Sequence, residues 1–266
     1  MASDNAKAAL DGAASSGMGF GVDIGGSGIK GALVDLSSGQ LVGDRMKIAT
    51  PRPATPDAVS DVVAEIVETF DWRGPVGITV PCVVKNGIAH TAANIDPAWI
   101  GVDADELFAK RLDRDQDDVG VLNDADAAGI AEVRFGEQRF GRGVVVLLTF
   151  GTGIGSALFV NGRLVPNTEL GHIEVDGHDG ESRAAASAKD NDDLTYPEWA
   201  KRVTRYLSVL ENLIWPDLII VGGGVSRKAE KWVPLVQVRT PITVATLQNH
   251  AGIVGAAAAV AEGIAH

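Results

Sequence analysis

Residues 23–34, Asp-Ile-Gly-Gly-Ser-Gly-Ile-Lys-Gly-Ala-Leu-Val, and residues 149–159, Thr-Phe-Gly-Thr-Gly-Ile-Gly-Ser-Ala-Leu-Phe, match one another when one residue of slip is allowed. They stand close to half of the 266-residue chain apart. Each passes from an apolar run through glycines into a second apolar run, the pattern of strand, turn and strand. Two related α/β halves, each opening on a glycine-turned hairpin, explain this repeat better than one domain with two unrelated loops.

The two turns are not the common phosphate loops. No Gly-Lys-[Ser/Thr] stands where a helix would begin, so neither is a P-loop. Each glycine run leads into a strand rather than a helix, so neither is a dinucleotide fingerprint. Glycine permits positive φ and leaves backbone N–H groups unshielded. Gly25, Gly26, Ser27 and Gly28 in the first turn are therefore suited to wrap phosphate oxygens, as are Thr149, Gly151, Thr152 and Gly153 in the second. Asp23 ends the strand before the first turn. A carboxylate beside a phosphate is unfavourable unless a cation lies between them, so Asp23 reads as a Mg²⁺ ligand acting through water; the plainer reading is a turn-capping Asp. Lys30, on the outgoing strand, either offsets phosphate charge or is a solvated lysine.

Outward from the turns, 59–67 carries Val59, Val62, Val63, Ile66 and Val67 at helical spacing, and 75–81 and 119–124 read as buried strands. Thr195 to Trp215 reads as a helix opened by a capping box, with Trp199, Val203, Tyr206, Leu207, Leu210 and Ile214 on one side. These elements divide the chain into an N-terminal domain over 19–123 and a C-terminal domain over 124–251. A small-residue helix near 252–264 is suited to pack back on the first, and residues 1–18 are expected to be a disordered N-terminus.

At 45% hydrophobic and 22% charged residues, the chain can bury a sizeable core. Its 23 Lys and Arg against 35 Asp and Glu leave a net charge of −12, which counts against nucleic acid or an anionic membrane as a partner. Cys82 is the one cysteine, which excludes an internal disulfide and a multi-cysteine zinc site. The N-terminal residues carry no apolar signal region, and the longest apolar run, 251–261, is shorter than the roughly 20 residues a span requires. A soluble cytoplasmic protein is expected.

Three further clusters carry chemistry. Asn123-Asp124 ends a strand and precedes a helix, where an α/β fold presents reactive groups; Asp124 reads as a general base or as a helix cap, with Asp126 as a rival base. Glu169-Leu-Gly-His172 is a second polar cluster. Gly222, Gly223 and Gly224 form another turn after a strand, ahead of an expected helix. Between Lys201 and Arg239, seven basic residues face three acidic ones, a local reversal of the overall charge. Lys201, Arg202 and Arg205 share a helix face, and Arg227 and Lys228 adjoin the glycine turn. A stripe of this kind either guides a linear polyanion or is a solvated face.

In order and spacing, DIGGSGIKG, LNDADAAG, TFGTGIGSAL, ELGHIE and LIIVGGGVSRKAEKW resemble the sugar kinases of the repressor–open reading frame–kinase family, from Gly19 to the C-terminus. PNTELGHIEV, SRKAEKWVPL and LQNHAGIVGAA resemble its polyphosphate glucokinases in particular. The resemblance implies two actin-like (ribonuclease H-like) domains with a cleft between them. It implies phosphoryl transfer from polyphosphate or ATP to the 6-hydroxyl of glucose, or also of mannose, with Mg²⁺. Asp124 falls at the family's base, and Asn94, Asn123, Glu169 and His172 at its sugar contacts; Glu181 takes the place of a further sugar-binding Glu, with Glu174 as the alternative. The turn at 222–224 falls beside the donor's adenosine. Many relatives bind zinc through the His of this motif and a cysteine-rich loop that follows it. No cysteine follows His172, so that zinc site is expected to be absent. The family often forms homodimers. An ATP-only hexose or amino-sugar kinase is the near alternative. A non-catalytic sugar-binding regulator is the remote one, and residues 1–18 are too short for a repressor's DNA-binding helices.

Overall fold

The computed structural model describes residues 17–136 and 142–265. The segment expected to be disordered lies outside these residues except at its end, where Met18 opens the first strand. Contacts divide the chain into two units, one running to Ala131 and resuming at His250, the other Glu132–Asn249.

The first unit begins with β1 (Met18–Gly25), β2 (Gly28–Asp35) and β3 (Gln40–Ile48), followed by helix α1 (Pro56–Thr69) and β4 (Val76–Val80). A small hairpin of β5 (Val84–Lys85) and β6 (Ile88–Ala89), helix α2 (Ala104–Leu112) and β7 (Val119–Asn123) complete its sheet side. The order is β3-β2-β1-β4-β7: β1, β2 and β3 form an antiparallel meander, while β1, β4 and β7 run parallel. Helix α3 (Asp124–Phe135) follows β7. Proline at the first turn and Thr55 at the N-cap start α1, which buries Val59, Val63, Ile66 and Val67.

The second unit contains β8 (Val144–Phe150), β9 (Ile154–Val160), β10 (Arg163–Val165) and a short hairpin of β11 (Glu174–Val175) and β12 (His178–Asp179). Helices α4 (Gly180–Ala184), α5 (Ala186–Asn191) and α6 (Tyr196–Ile214) follow, then β13 (Leu218–Gly222) and β14 (Ile242–Val244). Its order is β10-β9-β8-β13-β14, again an antiparallel meander whose first strand continues into two parallel neighbours. The repeat in the sequence is thus a repeat of connectivity. Its one-residue slip is the turn: four residues separate the paired Ile24 and Ile29 in the first hairpin, and three separate the paired Phe150 and Ile154 in the second.

Helix α7 (Ala251–Ala261) belongs to the first unit and lies directly on its sheet. A Cβ at Gly21 would stand 1.9 Å from the Ile253 carbonyl oxygen, and one at Gly77 1.9 Å from that of Ala256. Backbone therefore meets backbone, which requires glycine on the strands and explains the small residues of the helix. In the second unit the core is aromatic. Phe150, the last residue before the turn, contacts Trp199, Trp232 and Tyr206 at centroid distances of 5.9, 5.6 and 6.5 Å, each within the favourable range for edge contacts. Trp199 sits on α6, whose first turn is secured by Glu198: its Oε2 accepts from both the N–H and the hydroxyl of Thr195. Among the described residues, no helix is long and apolar enough to cross a membrane.

Candidate active site

In the first unit the charged groups gather at the hairpin and at the ends of the parallel strands. Asp23 and Lys30 are register partners across β1 and β2, and the Lys30 ammonium donates to Asp23 Oδ2 at 2.9 Å. The Thr79 hydroxyl, on the adjacent β4, donates to Asp23 Oδ1 at 3.1 Å. Both carboxylate oxygens are thus held, and the Asp23 side chain keeps 17% of its surface exposed. Lys30 serves Asp23 rather than pointing free into the turn. Thr79 has no counterpart in the sequence reading; its signal was a single hydroxyl inside the apolar run 76–80.

At the end of β7, Asn123 and Asp124 have different tasks. The Asn123 side-chain oxygen accepts from the N–H groups of Ala125 (2.8 Å) and Asp126 (3.2 Å), so Asn123 caps α3. Its amide group donates to the Cys82 carbonyl at 3.0 Å, which fixes the side chain between β7 and the segment after β4. Asp124 Oδ1 also accepts from Ala125 N–H at 2.8 Å, and the residue is exposed. Asp126 is 2% exposed. Burial of the Cys82 thiol, reinforced by the nearby Asp124 carboxylate, pushes its pKa up to about 12, so it remains a neutral thiol. Asn94 lies exposed in the bend before the 3₁₀ turn Pro97–Trp99.

In the second unit the turn 151–153 is held from below. Gly151 N–H donates to the Gly153 carbonyl at 2.9 Å, so that amide is used inside the turn. From the start of α5, Ser187 gives its N–H to the Gly151 carbonyl (3.0 Å) and its hydroxyl to that of Thr152 (2.5 Å). Thr149 is the penultimate residue of β8, paired with Gly155. Gly223, with φ of +82°, packs against the same strand end: a Cβ there would lie 2.4 Å from the Phe150 carbonyl oxygen. Gly222 ends β13, and Gly224 opens a 3₁₀ helix to Lys231, broken at Lys228, where the sequence suggested an ordinary helix.

Glu169, His172 and Glu181 come together beside this turn. The 3₁₀ turn Leu170–His172 is fixed by the Tyr206 hydroxyl, which donates to the Leu170 carbonyl at 3.0 Å, and by Leu170 N–H donating to Ser156 Oγ at 2.9 Å. Glu181 Oε2 accepts from Ile154 N–H, the first amide after the turn, at 2.8 Å. Burial raises the pKa of Glu169, and the Glu181 charge adds to the rise, while His172 opposes it. His172 is shifted upward chiefly by its hydrogen bond with Asp179, against a partial burial that lowers it. Ligand atoms of His172, Asp179 and Glu181 lie within 4.8 Å of one another, a spacing that would admit a cation. A cavity of about 330 Å³ opens between Thr152, Asp179, Glu181, Ser182, Ser187 and Asn191. Glu174 stands exposed in the β11–β12 hairpin, paired in register with Asp179.

The basic stripe is more divided in space than along the chain. Arg202 donates to Asp192 at 2.6 Å, and Arg205 holds Asp176 with two bonds of 2.6 and 2.9 Å. Both carboxylates lie outside the window that gave the positive excess, so a linear count missed them. Arg239 stacks on Trp215 at 3.9 Å and donates to Asn212. Lys201, Arg227 and Lys228 are exposed.

The ROK family model matches residues 19–187. The chain belongs to the ROK family. It is 60% identical over 241 residues to a polyphosphate glucokinase of Mycobacterium tuberculosis, covering 91% of this chain and 90% of that protein. The crystal structure of an inorganic polyphosphate/ATP-glucomannokinase from Arthrobacter sp. strain KM superposes with a TM-score of 0.87 and 47% identity, covering 92% of this chain and 99% of the other. A ROK family glucokinase from Streptomyces griseus, solved with glucose and AMPPNP, gives a TM-score of 0.74 at 25% identity over 91% and 98% of the two chains. These neighbours carry the actin-like fold, and this ROK protein shares its doubled α/β architecture.

Proposed function

We propose that this ROK protein is a glucokinase that takes its phosphoryl group from inorganic polyphosphate or ATP. The observation that carries the reading is the 60% identity to a polyphosphate glucokinase along nearly the whole of both chains, with the site motifs intact. Mannose is proposed as a second acceptor, in line with the glucomannokinase of similar structure. A homodimer and a cytoplasmic setting complete the proposal.

Asp124 is the proposed general base. Asn123 supplies the side-chain cap of α3, and Asp126 is buried, so Asp124 is the exposed carboxylate at this strand end. It accepts the proton of the glucose 6-hydroxyl as that oxygen bonds to the terminal phosphorus of the donor. The bridging P–O bond breaks, and the electron pair leaves with ADP or with a polyphosphate one residue shorter. Such a base contributes on the order of 10²–10⁴-fold. Asn94, Asn123, Glu169, His172 and Glu181 are proposed to hold the sugar hydroxyls; carboxylate, amide and imidazole match groups that both donate and accept. The turns at 25–28 and 149–153 bind the phosphoryl oxygens, and Gly222–Gly224 with Lys201, Arg227 and Lys228 form the donor side.

Asp23 fits a hydrated divalent cation better than a directly bound one. Both its oxygens already accept hydrogen bonds, from Lys30 and Thr79, and Mg²⁺ gives up its water reluctantly. Magnesium held there through water would supply charge neutralisation at the transferring phosphoryl group. The deciding experiment incubates glucose and Mg²⁺ with polyphosphate or ATP and follows glucose 6-phosphate. Product from both donors is expected. Product from ATP alone would reduce the protein to an ATP-only hexose kinase, and product from neither would refute the kinase reading.

A further inference from the structure

His172 stands in a polar cluster with Glu169, on the 3₁₀ turn Leu170–His172. Its backbone has little freedom: His172 N–H donates to the Glu169 carbonyl at 3.1 Å, and Leu170 is pinned by Ser156 and Tyr206. A Cβ at Gly171 would stand 2.2 Å from the Ile154 carbonyl oxygen, so the turn lies flat on β9. The ring itself is about half exposed, at 49%. An imidazole in that position is free to exchange tautomers unless a neighbour fixes one nitrogen.

Asp179 is that neighbour. Its Oδ2 lies 2.8 Å from His172 Nδ1. An ionised carboxylate only accepts, so the nitrogen facing it must carry the proton. Asp179 is itself immobilised at the junction of β12 and α4. Its Oδ1 accepts from Glu181 N–H at 3.1 Å, and its carbonyl accepts from the Ser182 hydroxyl at 2.6 Å. One side chain thus orients His172 and caps the helix that carries Glu181, which in turn holds the first amide after the second turn.

We propose that Asp179 is a positioning residue: it locks His172 with the proton on Nδ1, so that Nε2 presents a lone pair to accept a hydrogen bond from a sugar hydroxyl. This deepens the reading of His172 as a sugar contact and rests on it. It predicts that the acceptor subsite reads at least one hydroxyl as a donor, a polarity that the amide N–H groups of the phosphate turn cannot provide. Glu169 and Glu181 also face the ring and favour the imidazolium, so Nε2 presents its lone pair only at pH above the raised His172 pKa.

The test uses Asp179→Asn. Asparagine is as good an N-cap as aspartate, so α4 keeps its start, but its amide no longer demands the proton on Nδ1. In the wild type at alkaline pH, ¹⁵N NMR of the histidine rings should show His172 protonated at Nδ1; in Asp179→Asn that signature should fall. The glucose KM should rise roughly 2- to 10-fold, the range for losing one hydrogen bond at a half-exposed site. The polyphosphate KM should not move, and kcat should stay within about threefold. Asp179→Glu, which keeps the acceptor, should recover part of the glucose affinity. A wild-type ring protonated at Nε2, or an Asp179→Asn protein with unchanged tautomer and unchanged glucose KM, would overturn the proposal. One equivalent of tightly held zinc per chain would overturn it too, because Nδ1 would then be a ligand. If the wild type makes no glucose 6-phosphate, the kinase reading fails, and the NMR measurement still decides whether Asp179 sets the tautomer.

Discussion

The two glycine hairpins have one connectivity and two chemistries. Aligned through the paired residues Ile24–Ile29 and Phe150–Ile154, Asp23 and Lys30 in the first occupy the places of Thr149 and Gly155 in the second. The first hairpin therefore carries an ion pair, extended by Thr79 on the next strand. The second carries an uncharged threonine and a glycine there, and one residue further along the outgoing strand the buried Ser156 donates to the Thr168 carbonyl and accepts from Leu170 N–H. Corresponding strands thus set charge in one unit and hold the His172 turn in the other. Duplication supplies the backbone cradle twice, and side chains on the outgoing strand divide the work.

If that division is right, the largest effect belongs to the charged unit. Asp124→Asn should lower kcat by about 10²–10⁴-fold with the glucose KM nearly unchanged. Steady-state kinetics with both donors checks it, and a comparable kcat loss in a folded Asp126→Asn protein would contradict the assignment.

A paired comparison of Lys30→Met and Ser156→Ala probes the outgoing strands of the two hairpins. Lys30→Met should lower the Mg²⁺ concentration needed for half-maximal rate, because the Asp23 carboxylate loses the ammonium that neutralises it and competes with the metal; a shift of roughly several-fold is expected. Ser156→Ala should leave that Mg²⁺ dependence alone, cost about 1–3 kcal/mol of stability in a denaturant titration and weaken glucose binding. Interchangeable effects of the two substitutions would erase the distinction between the hairpins.

The smallest effects concern the donor surface of the second unit. Lys228→Glu should raise the polyphosphate KM several-fold at low salt, an effect of order 1 kcal/mol, and alter ATP turnover less. Arg205→Ala should do little to either donor, since Arg205 is already matched by Asp176 and a solvent-exposed pair of this kind contributes little. A greater loss at Arg205 than at Lys228 would restore the continuous stripe that residue counting suggests.

Much of the fold was legible in the chain. The repeated glycine pattern announced two related halves, the apolar spacing over 59–67 marked the helix found at Pro56–Thr69, and the capping box at Thr195 marked the one at Tyr196–Ile214. Local rules suffice there, because periodicity and caps act within a few residues. The motifs at 123–124 and 169–172 were also visible. Their partners were not: Thr79 is 56 residues from Asp23, and Asp192 and Asp176 lie 10 and 29 residues from the arginines they neutralise. Asp179, seven residues after His172, was near enough to notice but lies in a short polar segment with no periodic signal.

By itself the sequence determined the doubled hairpin, the helices and the kinds of group available, because backbone propensity, apolar spacing and side-chain chemistry are local properties. Tertiary structure alone decided which charges meet. It gave Lys30 to Asp23, made Asn123 the cap beside an exposed Asp124, and set a carboxylate against His172. Hydrogen bonds act over about 3 Å, and strand register and helix packing, not distance along the chain, bring groups that close.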